Sequence, residues 1–228
     1  MALKKRHENL VCSVAIGMEH CTIHTQEPME RYAERVNADF HQITQSKRRV
    51  PHLAKYDLIM MAERMGYKRF LFIDSDIYIR RGVPNIFEHY TNALFNEMPR
   101  LDEMLYWQRK MFETMTSKID PDFKIGDPYY NTGVMVFDAE GIRKLSHRLT
   151  TMPKYKIVED YYEQHELNWM LKQEELPHQN LSSRWNTYAS YSDLKSDVLK
   201  DSCFVHVSSI QDKDERSAKL KQVVDLLP

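Results

Sequence analysis

Short, continuous runs of apolar residues alternate with amphipathic segments along this chain. The runs at residues 70–73 (Phe-Leu-Phe-Ile) and 134–137 (Val-Met-Val-Phe) have the length of strands and contain no polar residue. A strand with this pattern is buried on both faces, as in sheets that are covered by helices on both sides. Residues 9–17 form a third such strand, which is made of small apolar residues and ends in Gly17. We therefore predict a sheet whose central strands are fully buried.

Helices are predicted between these strands. The clearest covers residues 51–65, because Pro51 suits the first helical position and Gly66 suits a helix end. The pattern predicts further helices at residues 27–37, 86–95, 104–115, 141–149 and 159–172, and further strands at residues 39–44 and 204–207. Alternation of strands and helices is typical of an α/β fold with a mainly parallel sheet. We expect residues 1–228 to form a single domain.

Two aspartates, Asp74 and Asp76, directly follow the strand at residues 70–73. In open α/β sheets, ligands bind outside the carboxyl ends of the strands. Ionised carboxylates beside a buried strand are costly unless a cation neutralises them, and residues i and i+2 of a strand point the same way. The pair is therefore a candidate site for Mg²⁺ or Mn²⁺, which bind such oxygen ligands. A solvated turn without a metal ion is the alternative.

The composition is that of an ordinary globular protein and narrows the function. Of the 228 residues, 42% are hydrophobic and 29% are charged, and the net charge of −1 provides no overall field for nucleic acid or a membrane. Cys12, Cys21 and Cys203 form neither a disulfide framework nor a zinc pattern, which is typical of a reducing compartment. No signal peptide or membrane span is predicted. We expect a cytoplasmic protein, or one module of a larger polypeptide.

Small polar residues also stand at the boundaries of other predicted elements. Asn131, Thr132 and Gly133 precede the run at residues 134–137, and His206 lies within the short strand at residues 204–207. A lone histidine on a strand is most often a core residue, so His206 matters only if the fold brings it to the aspartates. Neither the glycine-rich dinucleotide fingerprint nor the P-loop pattern is present.

Taken in order, these stretches resemble the metal-dependent GT-A glycosyltransferases, in particular the glycogenin-like and lipopolysaccharide-galactosyltransferase-like enzymes of family 8. The matching motifs are Asp74-Ser75-Asp76, Asn131-Thr132-Gly133-Val134, Glu163-Gln164 with Leu167-Asn168, Trp185-Asn186 and His206. The resemblance covers residues 9–213. It implies the GT-A fold, a Rossmann-like α/β domain with a mixed, mainly parallel central sheet flanked by helices. Compact enzymes of this kind also occur as modules of larger bacterial or virus-encoded glycosyltransferases.

The resemblance implies a reaction and a role for individual residues. A sugar, most simply a UDP-linked hexose, would move from a nucleotide-diphosphate donor to a hydroxyl of a glycan or glycoprotein acceptor. Asp74, Asp76 and His206 would hold Mn²⁺ or Mg²⁺, and the histidine nitrogen favours Mn²⁺. The nucleotide would lie against residues 9–95, and the sugar and acceptor against residues 96–213. The residues assigned to the nucleotide are Ala15, Ile16, Gly17, Asp39, Lys55 and Ser75. Those assigned to the donor sugar or acceptor are Asn131, Gly133, Gln164, Trp185 and Lys213.

Glu163 and Gln164 are the candidate catalytic residues that the resemblance implies. In an inverting enzyme Glu163 would take a proton from the acceptor hydroxyl. In a retaining enzyme a residue at this position would stabilise the oxocarbenium-like transition state, and the sequence leaves both routes open. The family usually has Asp at the position of Glu163, and the Lys-Pro-Trp that usually follows the late histidine is absent here, although Lys213 lies nearby.

Two other classes of function fit parts of the sequence. Phosphohydrolases of the haloacid-dehalogenase type also place Asp-x-Asp after a hydrophobic strand, but Ile77 and Tyr78 follow the pair here and no late Asp-Asp pair is evident. A non-catalytic domain that binds a nucleotide sugar would keep the metal ligands without needing Glu163. Turnover separates these alternatives from a transferase.

Overall fold

The computed structural model describes residues 5–46, 50–97, 110, 113–114, 116–122, 124, 127–151, 162–189 and 196–227. Nine strands are found in these ranges: β1 (Asn9–Val14), β2 (Ala38–Ile43), β3 (Arg69–Ile73), β4 (Ile77–Ile79), β5 (Ala93–Asn96), β6 (Tyr130–Asp138), β7 (Gln179–Asn180), β8 (Thr187–Tyr188) and β9 (Phe204–His206). The α-helices in the same ranges are α1 (Glu19–Arg35), α2 (Ala54–Arg64), α3 (Ile86–His89), α4 (Ala139–Thr151), α5 (Tyr162–Gln173), α6 (Ser196–Lys200) and α7 (Lys213–Leu226). Single 3₁₀ turns cover Pro51–Leu53 and Ser183–Trp185.

The central sheet has six strands in the order β2-β1-β3-β6-β5-β7. Strand β1 is parallel to both β2 and β3, and β5 is parallel to β7. Strand β6 is antiparallel to both of its neighbours, β3 and β5. The predicted α/β fold with a mixed, mainly parallel sheet is thereby confirmed.

Strand β3 is buried on both faces, as its apolar run predicted. Phe70 and Phe72 pack with α2, α4 and α5 on one side of the sheet. Leu71 and Ile73 pack on the other side with α1, β4 and β9. These four side chains have no exposed surface. Because both faces are covered, the only polar surface that β3 offers lies at its ends.

A second, smaller sheet has the order β4-β9-β8 and lies beside the carboxyl end of β3. Strand β4 begins directly after Asp76, and its register with β9 places Ile77 opposite His206. This pairing brings together two residues that are 130 positions apart in the chain, since 206 − 76 = 130. The small sheet therefore connects the aspartate pair to the late histidine.

Some predicted boundaries were wrong. Helix α1 begins at Glu19 rather than at residue 27, and Pro28 lies inside it. The helix predicted at residues 86–95 ends at His89, and the chain then forms β5. Pairing of β5 with β6 and β7 overrides the local pattern there, because strand formation depends on the partners available. Most of the helix predicted at residues 104–115 lies outside the described residues. No helix in the described part of the chain has the length and apolar character needed to cross a membrane.

Candidate functional site

The segment Asp74-Ser75-Asp76 is a tight turn between β3 and β4. The amide of Ile77 donates to the carbonyl of Asp74 at 3.1 Å. Three neighbouring elements fix the backbone of this turn. Asp74 N donates to Gly133 O on β6 at 2.8 Å, and Val207 N donates to Asp76 O at 3.0 Å. The Thr25 hydroxyl on α1 donates to Ser75 O at 2.7 Å. The turn is therefore held rigidly at the junction of the two sheets.

Asp74, Asp76 and His206 form one cluster, in which each residue offers a ligand atom within 4.8 Å of the other two. The closest pair is His206 Nε2 and Asp76 Oδ1, which are 3.2 Å apart. The two carboxylates converge because of the turn. The alternation of side chains along a strand, on which the sequence prediction relied, is not the cause. His206, which the sequence left conditional, lies at the aspartates.

The cluster fits a divalent cation in both chemistry and space. Two carboxylates and one imidazole nitrogen are a ligand set that suits Mn²⁺. Gly133 leaves the space beside them open, since a Cβ there would lie 2.8 Å from His206 Cε1 and 2.9 Å from Asp74 Oδ2. Those distances are shorter than real carbon contacts, so a side chain at residue 133 would displace the ligands. Gly133 thus forms one wall of the candidate metal site.

The orientation of His206 is set from behind the cluster. Its Nδ1 lies 2.9 Å from Asn186 Oδ1, which only accepts hydrogen bonds, so Nδ1 carries the proton and Nε2 faces Asp76. The Asn186 amide in turn donates to Asn131 Oδ1 at 3.0 Å. Burial opposes the charged imidazolium, but the Asp76 carboxylate outweighs it and raises the pKa of His206 above its ordinary value. The surroundings of Nε2 therefore favour positive charge.

Lys55 links the candidate metal site to Glu163. Its Nζ lies 3.1 Å from Asp74 Oδ1 and 3.1 Å from Glu163 Oε1, and it donates to the Thr132 hydroxyl at 3.3 Å. Burial would lower the pKa of Lys55, but the two carboxylates raise it overall. For Glu163, burial acts to raise the pKa and Lys55 lowers it more strongly. Both groups are therefore charged at neutral pH, in a site that excludes most water.

One oxygen of Glu163 remains available. Glu163 is 4% exposed, and its Oε2 is buried without a hydrogen-bond partner among the described residues. Unpaired buried acceptors are rare in folded proteins and are costly. The same helix places Gln164 beside β6. Glu163 Oε2 is thus poised to accept a hydrogen bond, or to face positive charge, when a ligand enters.

Gln164 is held by four hydrogen bonds that orient its amide. Its Oε1 accepts from Asn131 Nδ2 and from Thr132 N, each at 3.2 Å. Its Nε2 donates to Glu97 Oε2 at 3.1 Å and to the Tyr129 hydroxyl at 3.2 Å. The structure therefore brings Asn131 and Gln164 together, next to Gly133.

Glu97 is a site residue that the sequence reasoning missed. It is 4% exposed, lies directly after β5 and accepts a hydrogen bond from the Tyr188 hydroxyl at 2.5 Å. The Tyr188 ring stacks on the ring of His206, with 5.2 Å between their centres. The signal was the one that identified Asp74, an acidic residue after an apolar strand. It was hidden because residues 86–95 were predicted to be one helix.

Arg216 is a second missed residue. It lies on α7, and its Nη1 is 3.6 Å from Asp76 Oδ2. Burial acts to raise the pKa of Asp76, but His206 and Arg216 lower it. Lys213, to which the sequence assigned a ligand contact, is exposed one turn earlier on the same helix. The structure therefore places Arg216, rather than Lys213, against the aspartate pair.

The end of β1 lies beside the turn that carries the aspartates. The register of β1 and β3 pairs Cys12 with Phe72, so the residues after β1 are level with Asp74. Ala15 is buried, Ile16 is partly buried, and Gly17 has a left-handed φ of 70° that turns the chain into α1. Lys55 and Ser75 adjoin the same region. These five nucleotide assignments therefore lie together.

Two assigned residues lie elsewhere. Asp39 pairs in register with Leu10 at the amino end of β1, and its Oδ2 accepts from the backbone of Arg6 and His7 and from the Tyr67 hydroxyl. It is a structural residue at the opposite edge of the sheet, so the nucleotide assignment was wrong. Trp185 is 3% exposed and packs edge-on against Phe204, at 5.3 Å between ring centres. A sugar cannot reach that ring, so its ligand assignment was also wrong.

Comparison with known proteins agrees with this architecture. The model of the family Glyco_transf_8, "Glycosyl transferase family 8", matches residues 15–210. No curated protein sequence matches the chain.

Three solved structures show the similarity of fold. A glycosyltransferase involved in the glycosylation of the major capsid of PBCV-1 aligns with a TM-score of 0.66 at 15% identity, over 94% of this chain and 98% of that one. The galactosyltransferase LgtC, solved with donor and acceptor sugar analogues, aligns with a TM-score of 0.54 at 14% identity, over 96% of each chain. GlyE of Streptococcus pneumoniae TIGR4 aligns with a TM-score of 0.55 at 12% identity, over 97% of this chain and 63% of that one.

Proposed function

Because the chain belongs to glycosyl transferase family 8 and has the GT-A fold, we propose that it transfers a hexose from a UDP-sugar to a hydroxyl of a glycan or glycoprotein acceptor. The observation that carries this proposal is the enclosed cluster of Asp74, Asp76 and His206, with the Lys55–Glu163 pair directly beside it. A cation site next to a buried, ionised carboxylate is what cleavage of a sugar–diphosphate bond requires. Family membership also replaces the phosphohydrolase alternative.

Asp74, Asp76 and His206 would hold the divalent cation, most simply Mn²⁺ because one ligand is nitrogen. When bound, such a cation stabilises the negative charge that develops on the leaving diphosphate. The chain adds a fixed positive charge on the same side, since Arg216 lies against Asp76. Its guanidinium can donate to diphosphate oxygens in a bidentate manner.

The nucleotide would lie across residues 9–95, against the end of β1 and the turn around Ser75. Ala15, Ile16 and Gly17 offer backbone rather than bulky side chains there. The donor sugar and the acceptor would lie against residues 96–213, where Asn131, Gly133 and Gln164 form one surface. Glu97 belongs to the same hydrogen-bonded group and would fix the amide of Gln164 so that it meets sugar hydroxyls in one orientation.

Glu163 would act through its charge. Lys55 occupies Oε1 and holds the pKa of Glu163 below its ordinary value, so this carboxylate is a weak base. Its free Oε2 instead provides a negative charge, in a dry site, for the positive charge that develops on the sugar ring. This role corresponds to the retaining route among the two that the sequence left open.

Donor binding tests the proposed function. Calorimetry with UDP-, GDP- and TDP-sugars, each with Mn²⁺ and with a chelator, should show binding of one UDP-hexose that requires the metal ion. Binding that is identical in the chelator would contradict the assigned metal site. No binding of any nucleotide sugar, together with release of phosphate from simple phosphate esters, would contradict the transferase.

Asn186 should control metal affinity through His206. Asn186→Leu removes the acceptor that holds Nδ1–H of His206. Loss of such a hydrogen bond behind a metal ligand typically weakens affinity about 10–100-fold. We expect that loss in the Mn²⁺ dissociation constant measured by calorimetry, with partial rescue by Asn186→Asp, which keeps an acceptor oxygen.

The matched control is Asn168→Leu. This variant also replaces a hydrogen-bonded amide, but one that bonds Tyr130 and has no recorded contact with His206. It should lower the melting temperature and leave Mn²⁺ affinity unchanged. Unaltered Mn²⁺ binding by Asn186→Leu would show that Asn186 does not position His206.

Arg216 should have opposite effects on the metal ion and the nucleotide. Arg216→Gln removes a positive charge near Asp76. Mn²⁺ alone should therefore bind as well as before or better, while UDP in the presence of Mn²⁺ binds roughly tenfold more weakly, the cost of a charge-assisted contact.

Lys213→Gln is the control on the same helix, because Lys213 is exposed and differs from Arg216 in its position rather than in its charge. It should change UDP affinity by less than about twofold, as expected of an exposed surface charge. An equal loss in both variants would indicate a general field of the helix, and would remove the specific assignment of Arg216.

A further inference from the structure

A second polar cavity lies between α1 and the turn that follows β4. Its volume is about 360 Å³. The residues that line it are Pro28, Arg31, Tyr32, Arg35, Ile79, Arg80, Arg81 and Gly82. Four of these eight are arginines, and none of the lining residues carries a carboxylate. We name this cavity the arginine pocket.

The pocket follows from two local features of the sequence. Positions 28, 31, 32 and 35 share one face of α1, because they are three, four and seven residues apart. The opposite wall is the end of β4 and its turn, where Gly82 has a left-handed φ of 71°. Helix and turn therefore each direct two arginines to one cavity. In a chain whose net charge is −1, this is a strong local excess of positive charge.

Neighbouring groups satisfy the four guanidiniums only in part. Arg31 pairs with Glu27, which is 71% exposed, and exposed pairs of this kind contribute little. Arg80 donates to the Lys200 carbonyl, and Arg35 lies over the Tyr32 ring at 5.1 Å. Each guanidinium has five N–H donors, so most of the donors remain available for a ligand.

Further charges around the pocket do not reverse its sign. Glu88 is a second acidic side chain whose charge acts on Tyr32. Arg184 adds positive charge behind the pocket, where its Nε donates to Cys203 Sγ at 3.1 Å. The side chain of Cys203 lies within the electrostatic influence of Arg35 and Arg80 as well. The surroundings are therefore basic on more than the lining surface.

The arginine pocket is separate from the metal cluster. Strand β4 joins the two, with Ile77 opposite His206 at one end and Ile79 opposite Phe204 at the other. Arg80 N donates to Cys203 O at 3.1 Å, which fixes the far end of the strand. The four residues from Asp76 to Arg80 span roughly 13 Å in extended chain. No lining residue belongs to the proposed donor site.

We infer that the arginine pocket is a second binding site, for a small organic phosphate. Arginine forks match the oxygens of phosphate bidentately, and a cavity of this size accepts a small organic molecule rather than a bare ion. Pro28 and Ile79 supply an apolar wall against which the carbon part of the ligand packs. The inference does not depend on the proposed function, because it rests on other residues.

Calorimetry in the presence of a chelator tests the inference. The probes are a hexose 6-phosphate, the unphosphorylated hexose and inorganic phosphate. The pocket variant is Arg31→Gln/Arg35→Gln/Arg81→Gln, which leaves Arg80 to bond Lys200. The control variant is Arg64→Gln/Lys68→Gln/Arg143→Gln, which removes the same charge from exposed positions elsewhere. Melting temperatures confirm that both variants fold.

We expect the wild-type protein and the control variant to bind the hexose phosphate alike, and the pocket variant to bind it at least about tenfold more weakly. The unphosphorylated hexose should not bind. Equal binding of inorganic phosphate would support the site and show that the phosphate group alone is recognised. Equal loss in the pocket and control variants, or no phosphate-dependent binding by the wild-type protein, would overturn the inference.

Discussion

Replacing Asp76 with asparagine should abolish metal-dependent binding of the nucleotide-sugar donor. Asp76 is 8% exposed and lies 3.2 Å from His206, so its carboxylate is central to the cluster. Asparagine keeps the shape but removes the charge that a divalent cation requires. Loss of a partner behind a metal ligand already costs about 10–100-fold in affinity, so loss of a direct ligand should cost about 100-fold or more. Titration of Mn²⁺ followed by UDP-hexose measures both steps.

The fold should survive this change. Asparagine can still accept from His206, and we expect the free energy of unfolding to fall by about 1–3 kcal/mol, the cost of weakening a buried polar contact. Asp214→Asn, an exposed change on α7, is the matched control and should leave binding intact. If Asp76→Asn binds Mn²⁺ and donor as the wild-type protein does, the cluster is not the metal site.

Glu163→Gln should slow turnover strongly while leaving donor binding nearly intact. Gln keeps the size of the side chain but removes a buried charge whose Oε2 has no hydrogen-bond partner among the described residues. Removing one electrostatic contact to a transition state typically costs about 10²–10³-fold in kcat, or roughly 3–4 kcal/mol. The donor dissociation constant should change by less than about fivefold, because the lost contact is made mainly in the transition state.

Glu166→Gln provides the control on the same helix. Glu166 is also buried, but its partner is the Tyr56 hydroxyl, and it has no recorded contact with Lys55 or Asp74. It should alter kcat by less than about threefold, because it stands outside the reacting groups. Because Lys55 loses one partner in Glu163→Gln, melting temperatures of both variants are needed. Equal losses of donor affinity and kcat in Glu163→Gln would show that Glu163 binds the ground state rather than the transition state.

The central strand and its aspartates were the most predictable part of the molecule. The run at residues 70–73 can be buried on both faces only within a covered sheet, which fixes where its polar end must lie. The cluster itself could not be derived from local pattern. Asp74 and Asp76 converge through a turn, and His206 reaches them through the pairing of β4 with β9, a contact between distant parts of the chain.

The errors have the same physical origin. Asp39 follows an apolar position as Asp74 does, but it lies at the amino end of β2, and only the register with β1 reveals this. Trp185 was read as a surface for sugar, and its burial against Phe204 depends on a segment 19 residues later, since 204 − 185 = 19. Glu97 was hidden by a helical pattern that the sheet overrides. In each case tertiary pairing determined the outcome.

The site is assembled from four separate parts of the chain around β3. Helix α2 provides Lys55, β6 provides Asn131 and Gly133, α5 provides the two candidate catalytic residues, and α7 provides Arg216. A hydrogen-bonded line runs from Glu97 through Asn131 and Asn186 to His206. The candidate sugar surface and the candidate metal site are therefore parts of one network, so a change at either end should be felt at the other.

The most direct test of the transferase is release of nucleoside diphosphate from a UDP-hexose, with Mn²⁺ and with a chelator. Slow hydrolysis by water serves when no acceptor is supplied. We predict release that requires Mn²⁺ in the wild-type protein and is lost in Asp76→Asn. Donor binding without any release, in the presence of a panel of glycan acceptors, would contradict catalysis and indicate a nucleotide-sugar-binding domain. Release at the same rate in the chelator would contradict the metal site.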